Sequence, residues 1–249
     1  MASTPASTSI LIINPNSTRS MTAALAPLLA DLTHPGLALH FHTGPPDAPP
    51  SINDAETSAA SAAATLPSVL PLLAAHDAVL VACFSEHPLV PMLRTHLASS
   101  GSGLGTRRKP VLGIFEASVL HARALGRPFG IVTTGSYWEA ALSRGVRGLF
   151  GSGDVGGSFV GVCSTGLSAL ELHEMPADEV RERIACAAQA LVGERDAEVV
   201  IMGCAGMSGM KDAVREGARQ AGREEVVILD AVRCGVGMLD GMLRAMGRD

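Results

Sequence analysis

Two similar Rossmann-like α/β domains, each with a four-stranded parallel sheet, are what the 249-residue sequence predicts, on three observations. Apolar runs of four to eight residues alternate with longer stretches of helical periodicity, the pattern of βα units feeding a parallel sheet. The series divides near residue 114 into two sets of four units. Matching features also stand at matching places in both sets, a short polar turn after the first strand and a cysteine after the third.

Strands are expected at 9–13, 37–42, 78–82, 110–114, 129–133, 158–162, 198–202 and 226–229, where apolar runs lie between turn-forming residues. Helices are expected at 18–32, 53–74, 88–98, 117–125, 137–149, 177–192, 208–221 and 233–245. The turn Asn14-Pro15-Asn16-Ser17-Thr18 follows the first strand, and Thr133-Thr134-Gly135-Ser136 follows the fifth. Each opens a helix with Ser/Thr capping groups. Cys83 ends the run Ala78-Val79-Leu80-Val81-Ala82, and Cys204 ends Val199-Val200-Ile201-Met202-Gly203. The last helix, after Asp230, is expected to pack back on the first half. That gives a discontinuous first domain of residues 1–113 plus 230–249 and a second of 114–229.

Composition narrows the function classes. A hydrophobic fraction of 47% against 17% charged residues describes a chain that buries a large core. The net charge of −5 argues against nonspecific binding to nucleic acid or an anionic membrane. No apolar stretch is expected to reach the roughly 18 residues of a membrane span. The first nine residues lack the basic and apolar regions of a signal peptide, so a cytoplasmic location is expected. Five cysteines, odd in number, widely spaced and without a Cys-x-x-Cys pair, fit reduced thiols better than a disulfide framework or a zinc site.

Open α/β sheets bind ligands outside the carboxyl ends of their strands, so both polar turns and both cysteines are expected on such an edge. A thiol there lies near helix-terminal N–H groups that favour thiolate. Two thiols in matching settings point to proton transfer by a pair of bases, whereas Cys163, Cys186 and Cys234 are better read as packing residues. His87 follows Cys83 by four residues, but Pro88 comes directly after it. A substrate-binding or helix-capping histidine fits better than the base of a Cys-His dyad. The other histidines form no ligand cluster, so no metal is expected. Gly151-Ser-Gly153-Asp-Val-Gly156 satisfies GxGxxG but follows a helix and precedes a strand, the reverse of a dinucleotide site. Arg107-Arg108-Lys109 reads as a solvated loop. The Asn-Pro-Asn-Ser-Thr turn fits either an anion cradle on helix N–H groups or a simple N-cap.

Several segments resemble a known family. They are Ile13-Asn-Pro-Asn-Ser17 with Met21-Thr22, Ala82-Cys-Phe-Ser-Glu-His-Pro-Leu89, Pro110-Val-Leu-Gly-Ile-Phe-Glu-Ala-Ser118, Phe129-Gly-Ile-Val-Thr-Thr134, Gly203-Cys-Ala-Gly-Met207 and Leu229-Asp-Ala-Val232. Spanning residues 10 to about 240, they resemble the Asp/Glu/hydantoin racemase superfamily, in the hydantoin/allantoin racemase-like branch that includes fungal proteins. The resemblance implies domains related by a pseudo-twofold, an active site in the interdomain cleft, and Cys83 and Cys204 as the two catalytic cysteines. It further implies that Asn14, Phe84, Ser118, Thr133 and Thr134 line the substrate pocket, with N–H donors around Gly203 and Ala205.

Phe84-Ser85-Glu86-His87-Pro88 departs from the Phe-Gly/Asp-Asp-Pro-Gly pattern of bacterial hydantoin racemases. That adds Ser85 and His87 to the candidates, lets Glu86 as well as His87 enter the pocket, and leaves the substrate open. Tyr137, just beyond the Thr-Thr turn, fits either a pocket wall or a buried helix start. The expected activity is a racemase or epimerase that needs no cofactor and acts on a carbonyl-activated carbon of a hydantoin- or allantoin-type cyclic ureide. A decarboxylase or cis–trans isomerase on the same scaffold, or a silent small-molecule binding protein, are the alternatives. The expected partner is a small-molecule substrate, with no nucleic acid and no membrane, and the oligomeric state is left open.

Overall fold

The computed structural model describes residues 8–99, 109–150 and 158–247. All eight expected strands form: β1 (Thr8–Asn14), β2 (Leu37–Thr43), β3 (Ala78–Val81), β4 (Val111–Gly113), β5 (Phe129–Thr133), β6 (Phe159–Ser164), β7 (Val199–Met202) and β8 (Val227–Asp230). The helices are α1 (Arg19–Leu28), α2 (Ala55–Val69), α3 (Leu89–Ser99), α4 (Ile114–Ala124), α5 (Tyr137–Phe150), α6 (Glu171–Glu174), α7 (Ala177–Glu194), α8 (Lys211–Gln220) and α9 (Ala231–Ala245). The GxGxxG segment and Arg107-Arg108 lie outside the described residues.

Two parallel sheets result, ordered β2-β1-β3-β4 and β6-β5-β7-β8. Counted within each set of four, the strand order is the same. The register repeats as well. Ile13 pairs with Val81 in the first sheet, and Val132 pairs with Met202 in the second. Asn14 pairs with Thr43, and Thr133 with Ser164. Strands covered by helices on both faces read as unbroken apolar runs rather than as alternation. Accordingly Val79, Leu80 and Val81 are fully buried, as are Val199, Val200 and Ile201.

The chain divides into two compact units. One comprises Met1–Cys83, His87–Ile114 and Gly235–Asp249, and the other Phe84–Glu86 and Phe115–Cys234. The return to the first unit therefore falls at Gly235, inside α9, and not at residue 230. β8 and the first turn of α9 stay with the second sheet. The short segment after Cys83 also belongs to the second unit.

Local chemistry explains two helix starts directly. Asp54 accepts from the Thr57 N–H at 2.8 Å while Thr57 Oγ1 accepts from the Asp54 N–H at 3.1 Å, a reciprocal capping box for α2. Asp230 caps α9, accepting from the N–H groups of Val232 (3.1 Å) and Arg233 (3.2 Å). Three expectations need correction. α4 begins at Ile114, directly after its strand, not at 117. α8 begins at Lys211, because a 3-10 turn at Ala205–Met207 comes first. And Ala55–Ala75 is, at 21 residues, long and apolar enough to cross a membrane by length and composition. Here that segment is a helix of the first unit: Ala62, Val69 and Leu73 pack into its core, and Ser61 and Thr65 bond the carbonyl of Pro15.

α9 reaches the first sheet through Gly235. A methyl group there would stand 2.5 Å from Cδ1 and 2.8 Å from Cδ2 of the fully buried Leu80, in the strand that leads to Cys83. Overpacking at such a site costs about 1–3 kcal/mol. Gly235→Ala is expected to lower the unfolding free energy of the first unit, measured by urea denaturation, by that amount, and an unchanged value would show that α9 is not packed this closely.

Candidate active site

In each unit the cysteine and the polar turn stand at the carboxyl ends of neighbouring strands, where the strand order of that sheet reverses. In the first unit the Ala82 N–H donates to the Ile13 carbonyl at 2.8 Å, in the second the Gly203 N–H to Val132 at 2.7 Å. These equivalent bonds fix the residue just before each cysteine. Cys83 and Cys204 therefore occupy the same position in their sheets, both only partly buried, and no cysteine of the chain forms a disulfide.

Around Cys83 the polar groups are heavily committed to one another. Asn14 Nδ2 is directed at Asn16 Oδ1 (2.8 Å), Thr22 Oγ1 (3.0 Å) and the Thr18 carbonyl (3.3 Å), while Asn14 Oδ1 accepts from the Asn16 N–H at 3.3 Å. Asn16 Oδ1 also accepts from the Thr18 N–H at 2.9 Å, an Asx turn that leads into α1. Asn14 thus holds the turn as a rigid knot. The Pro15 carbonyl accepts from Ser61 Oγ (2.7 Å) and Thr65 Oγ1 (3.0 Å).

His87 completes that network. Its Nδ1 accepts from the Leu89 N–H at 3.3 Å, and its Nε2 lies 3.4 Å from Ser61 Oγ. Since the Ser61 proton goes to Pro15, the ring is neutral with its proton on Nε2. Only 1% of the residue is exposed, and burial pushes its pKa down to about 4. Of the two roles the sequence left open for His87, the structure builds the cap of α3.

Around Cys204 the arrangement is looser. Sγ accepts from the Gly206 N–H at 3.4 Å, within the Ala205–Met207 turn. Burial pushes the thiol up to about 11, against the opposing pull of the Gly206 and Met207 N–H groups. The thiolate-favouring donors here belong to a 3-10 turn and not to an α-helix terminus as expected; the flanking α-helices start only at Leu89 and Lys211. The N–H of Gly203 is engaged by Val132, so it does not serve as a substrate donor. A Cβ at Gly203 would stand 2.7 Å from that same carbonyl and 3.1 Å from Phe84 Cε1, which is why this position is glycine.

Phe84 is buried and packs edge-to-face on Phe115, with ring centroids 5.3 Å apart. Thr133 Oγ1 reaches the Gly203 carbonyl at 3.4 Å. The Thr134 side-chain hydroxyl makes no hydrogen bond among the described residues, although the residue is only 5% exposed. It is the candidate donor with its bonding capacity intact. Ser118 is fully buried inside α4 and donates to the Phe115 carbonyl at 3.1 Å, so the helix holds the hydroxyl that was expected in the pocket. Ser85 is buried in the second unit. Tyr137 is 41% exposed, which removes the buried-helix-start reading; its neighbour Trp138 is the buried one.

Two residues near this edge carried no sequence signal for a role. Asp230, opposite Met202 in register, accepts from Ser208 Oγ at 2.6 Å and so ties the end of the Cys204 turn to β8. His173, on α6, faces Gly206, where a methyl group would meet its Nε2 at 3.0 Å and Cys204 Sγ at 3.6 Å.

Two outcomes follow from these burials. An imidazole whose folded pKa lies below its unfolded 6.5 binds its proton first in the unfolded chain. His87 therefore adds stability that is complete above about pH 6.5 and is lost as pH falls toward 4, by at most about 3 kcal/mol. Urea denaturation between pH 7 and 4.5 is expected to show a flatter decline in His87→Gln than in the parent; parallel curves would place His87 in a solvated setting. Burial also pushes Cys234 up to about 12. Alkylation mapped by mass spectrometry is expected to stay slow at Cys204 and Cys234 up to about pH 10, with the exposed Cys186 as internal reference. Rapid labelling of Cys204 at pH 7 would contradict the raised pKa of its thiol.

Comparison with known proteins gives concordant results. The Asp/Glu/Hydantoin racemase family model matches residues 10–239. The chain is 37% identical to an uncharacterised protein of Schizosaccharomyces pombe, over 94% of this chain and 92% of that one. It is 30% identical to the hydantoin racemase of Rhizobium meliloti, over 95% and 89% respectively. Among solved structures, the allantoin racemase from Pseudomonas fluorescens superposes with a TM-score of 0.78 at 25% identity, covering 96% of this chain and 92% of its own. The chain belongs to the Asp/Glu/hydantoin racemase family and, with it, to the isomerases.

Proposed function

We propose that this isomerase racemises a neutral cyclic ureide of hydantoin or allantoin type, with Cys83 and Cys204 as its acid/base pair and no cofactor. The observation that carries the proposal is the register-matched placement of the two thiols, each two residues beyond a strand pairing that recurs in both sheets. One thiolate removes the proton from the carbon beside the carbonyl, and the other thiol delivers a proton to the opposite face. Cys204, which burial keeps protonated, is the donor in the resting enzyme, and Cys83 is the base. The negative charge that develops on the carbonyl oxygen needs a donor already in place. Thr134 is assigned that part because its hydroxyl has no competing partner.

The neutral substrate is supported by the character of the two surroundings. The groups that shift the Cys204 thiol are burial and two backbone N–H groups, with no charged side chain among them. Asn14, Asn16, Thr22 and a neutral His87 make up the polar environment described for the first unit. A free amino acid would bring an ammonium and a carboxylate, both costly to bury without partners of opposite charge. The relatives named hydantoin racemase and allantoin racemase act in their names on ureides of this class.

Purified enzyme is to be screened against allantoin and 5-substituted hydantoins by polarimetry, with NMR in deuterated water. The expected result is loss of optical rotation with deuterium incorporated at the stereocentre and no release of carbon dioxide. Cys83→Ser and Cys204→Ser are each expected to reduce turnover by about 10²–10⁴-fold in both directions. Near-native racemisation by Cys83→Ala would end the two-thiol account, and carbon dioxide release would assign a decarboxylase instead.

A further inference from the structure

We propose that His173 carries protons between solvent and Cys204, returning the enzyme to its starting state between turnovers. The inference rests on the two-thiol reading above, and it starts from a requirement of that reading. Each turnover leaves the pair inverted, because Cys204 has given its proton to the substrate carbon and Cys83 has gained one. A second molecule of the same enantiomer cannot react until Cys204 regains a proton and Cys83 releases one. Burial makes proton uptake by the Cys204 thiolate favourable, and because the residue is only partly exposed, a titratable group beside the sulfur shortens the proton's route from solvent.

The geometry supplies a carrier. α6 lies against the Ala205–Met207 turn, and His173 Nε2 and Cys204 Sγ flank the same point beside the Gly206 Cα, 3.0 Å and 3.6 Å from the position a methyl group would take. Glycine keeps that space open between ring and thiol. The two atoms are thereby within reach of each other through a small ring movement or one bridging water. His173 is an exposed residue, so the same imidazole also meets solvent.

Its ring makes no hydrogen bond among the described residues. His87, His42 and His121, by contrast, bond Ser61, Ser68 and the Ala117 carbonyl. The imidazole of His173 thus has no structural partner to lose when it takes up a proton. Partial burial lowers its pKa, so it is neutral at rest and gives up a proton readily once charged.

The step balances without any other reagent. The ring accepts a proton from water and becomes imidazolium. Its Nε2–H bond then breaks as an S–H bond forms on Cys204, and the ring returns to neutral. The proton that Cys83 releases neutralises the hydroxide left in solvent. No electrons are exchanged.

His173 acts through Cys204 and not on the substrate, which determines the test. Resetting happens in free enzyme after product has left, so it limits kcat but does not enter kcat/KM. On whichever ureide the parent turns over, His173→Ala and His173→Gln are expected to lower kcat about 10-fold or more with kcat/KM unchanged. Added imidazole is expected to restore kcat of His173→Ala in proportion to its concentration. Unchanged kcat, or kcat and kcat/KM falling together without rescue by imidazole, would overturn the proposal, and the second outcome would leave His173 a structural support of the turn. Cys204→Ser separates the two levels. If it stays active the two-thiol reading itself fails, whereas Cys204-dependent activity that ignores His173 removes only the carrier.

Discussion

The placement of both thiols depends on one kind of bond, the backbone hydrogen bond at the far end of each sheet's central strand pair. Ala82 to Ile13 and Gly203 to Val132 are the last such bonds before the chain leaves the sheet. Each holds the residue preceding a cysteine, so the thiol leaves the strand end in a defined direction. The supporting features converge on these bonds. Gly203 permits the close approach, Thr133 bonds its carbonyl, and Asn14 knots the turn that follows Ile13. Buried apolar strands below hold each strand end rigid.

Equivalent backbones carry unlike chemistry. In the first unit the turn after β1 is closed by side-chain amides and hydroxyls that bond one another, with a neutral histidine beneath it. In the second the turn after β5 leaves the Thr134 hydroxyl unengaged, and Cys204 sits in a turn of small residues with its sulfur on a backbone N–H. Repetition fixes where the thiols stand. Divergence of the surrounding residues gives each thiol its own setting.

The inner strands were legible because they are apolar runs covered on both faces, a signal that survives without tertiary knowledge, and the edge strands by their place between turn signals. The matched cysteines were legible for the same reason, since each ends such a run. Helix boundaries were less so. At Gly113–Ile114 the helix begins without a loop, and nothing in the local composition marks so abrupt a change. A 3-10 turn at Ala205–Met207 and the four-residue α6 are too short for any periodicity to show. Side-chain roles were the least accessible. Asn14, Ser118 and Gly203 have the right chemistry for a substrate contact, yet their donors are used by neighbours that only the folded chain brings near. His173 has no spacing relation to Cys204 at all, and its relevance is wholly tertiary.

Unequal thiols do not bias the outcome of a racemisation. Mirror-image substrates have the same free energy in achiral solvent, so kcat/KM must be equal in the two directions whatever the enzyme's asymmetry. What the asymmetry distributes is the balance between kcat and KM for each enantiomer. Under the proposed two-thiol mechanism, the enantiomer that meets the resting state, with Cys204 protonated, finds most of the enzyme ready. Its mirror image draws on a minor protonation state, and its saturation behaviour depends on how fast that state is replenished. Under that mechanism, the raised pKa of Cys204 has its consequences in the free enzyme, between substrates, where proton access and not bond-making sets the pace.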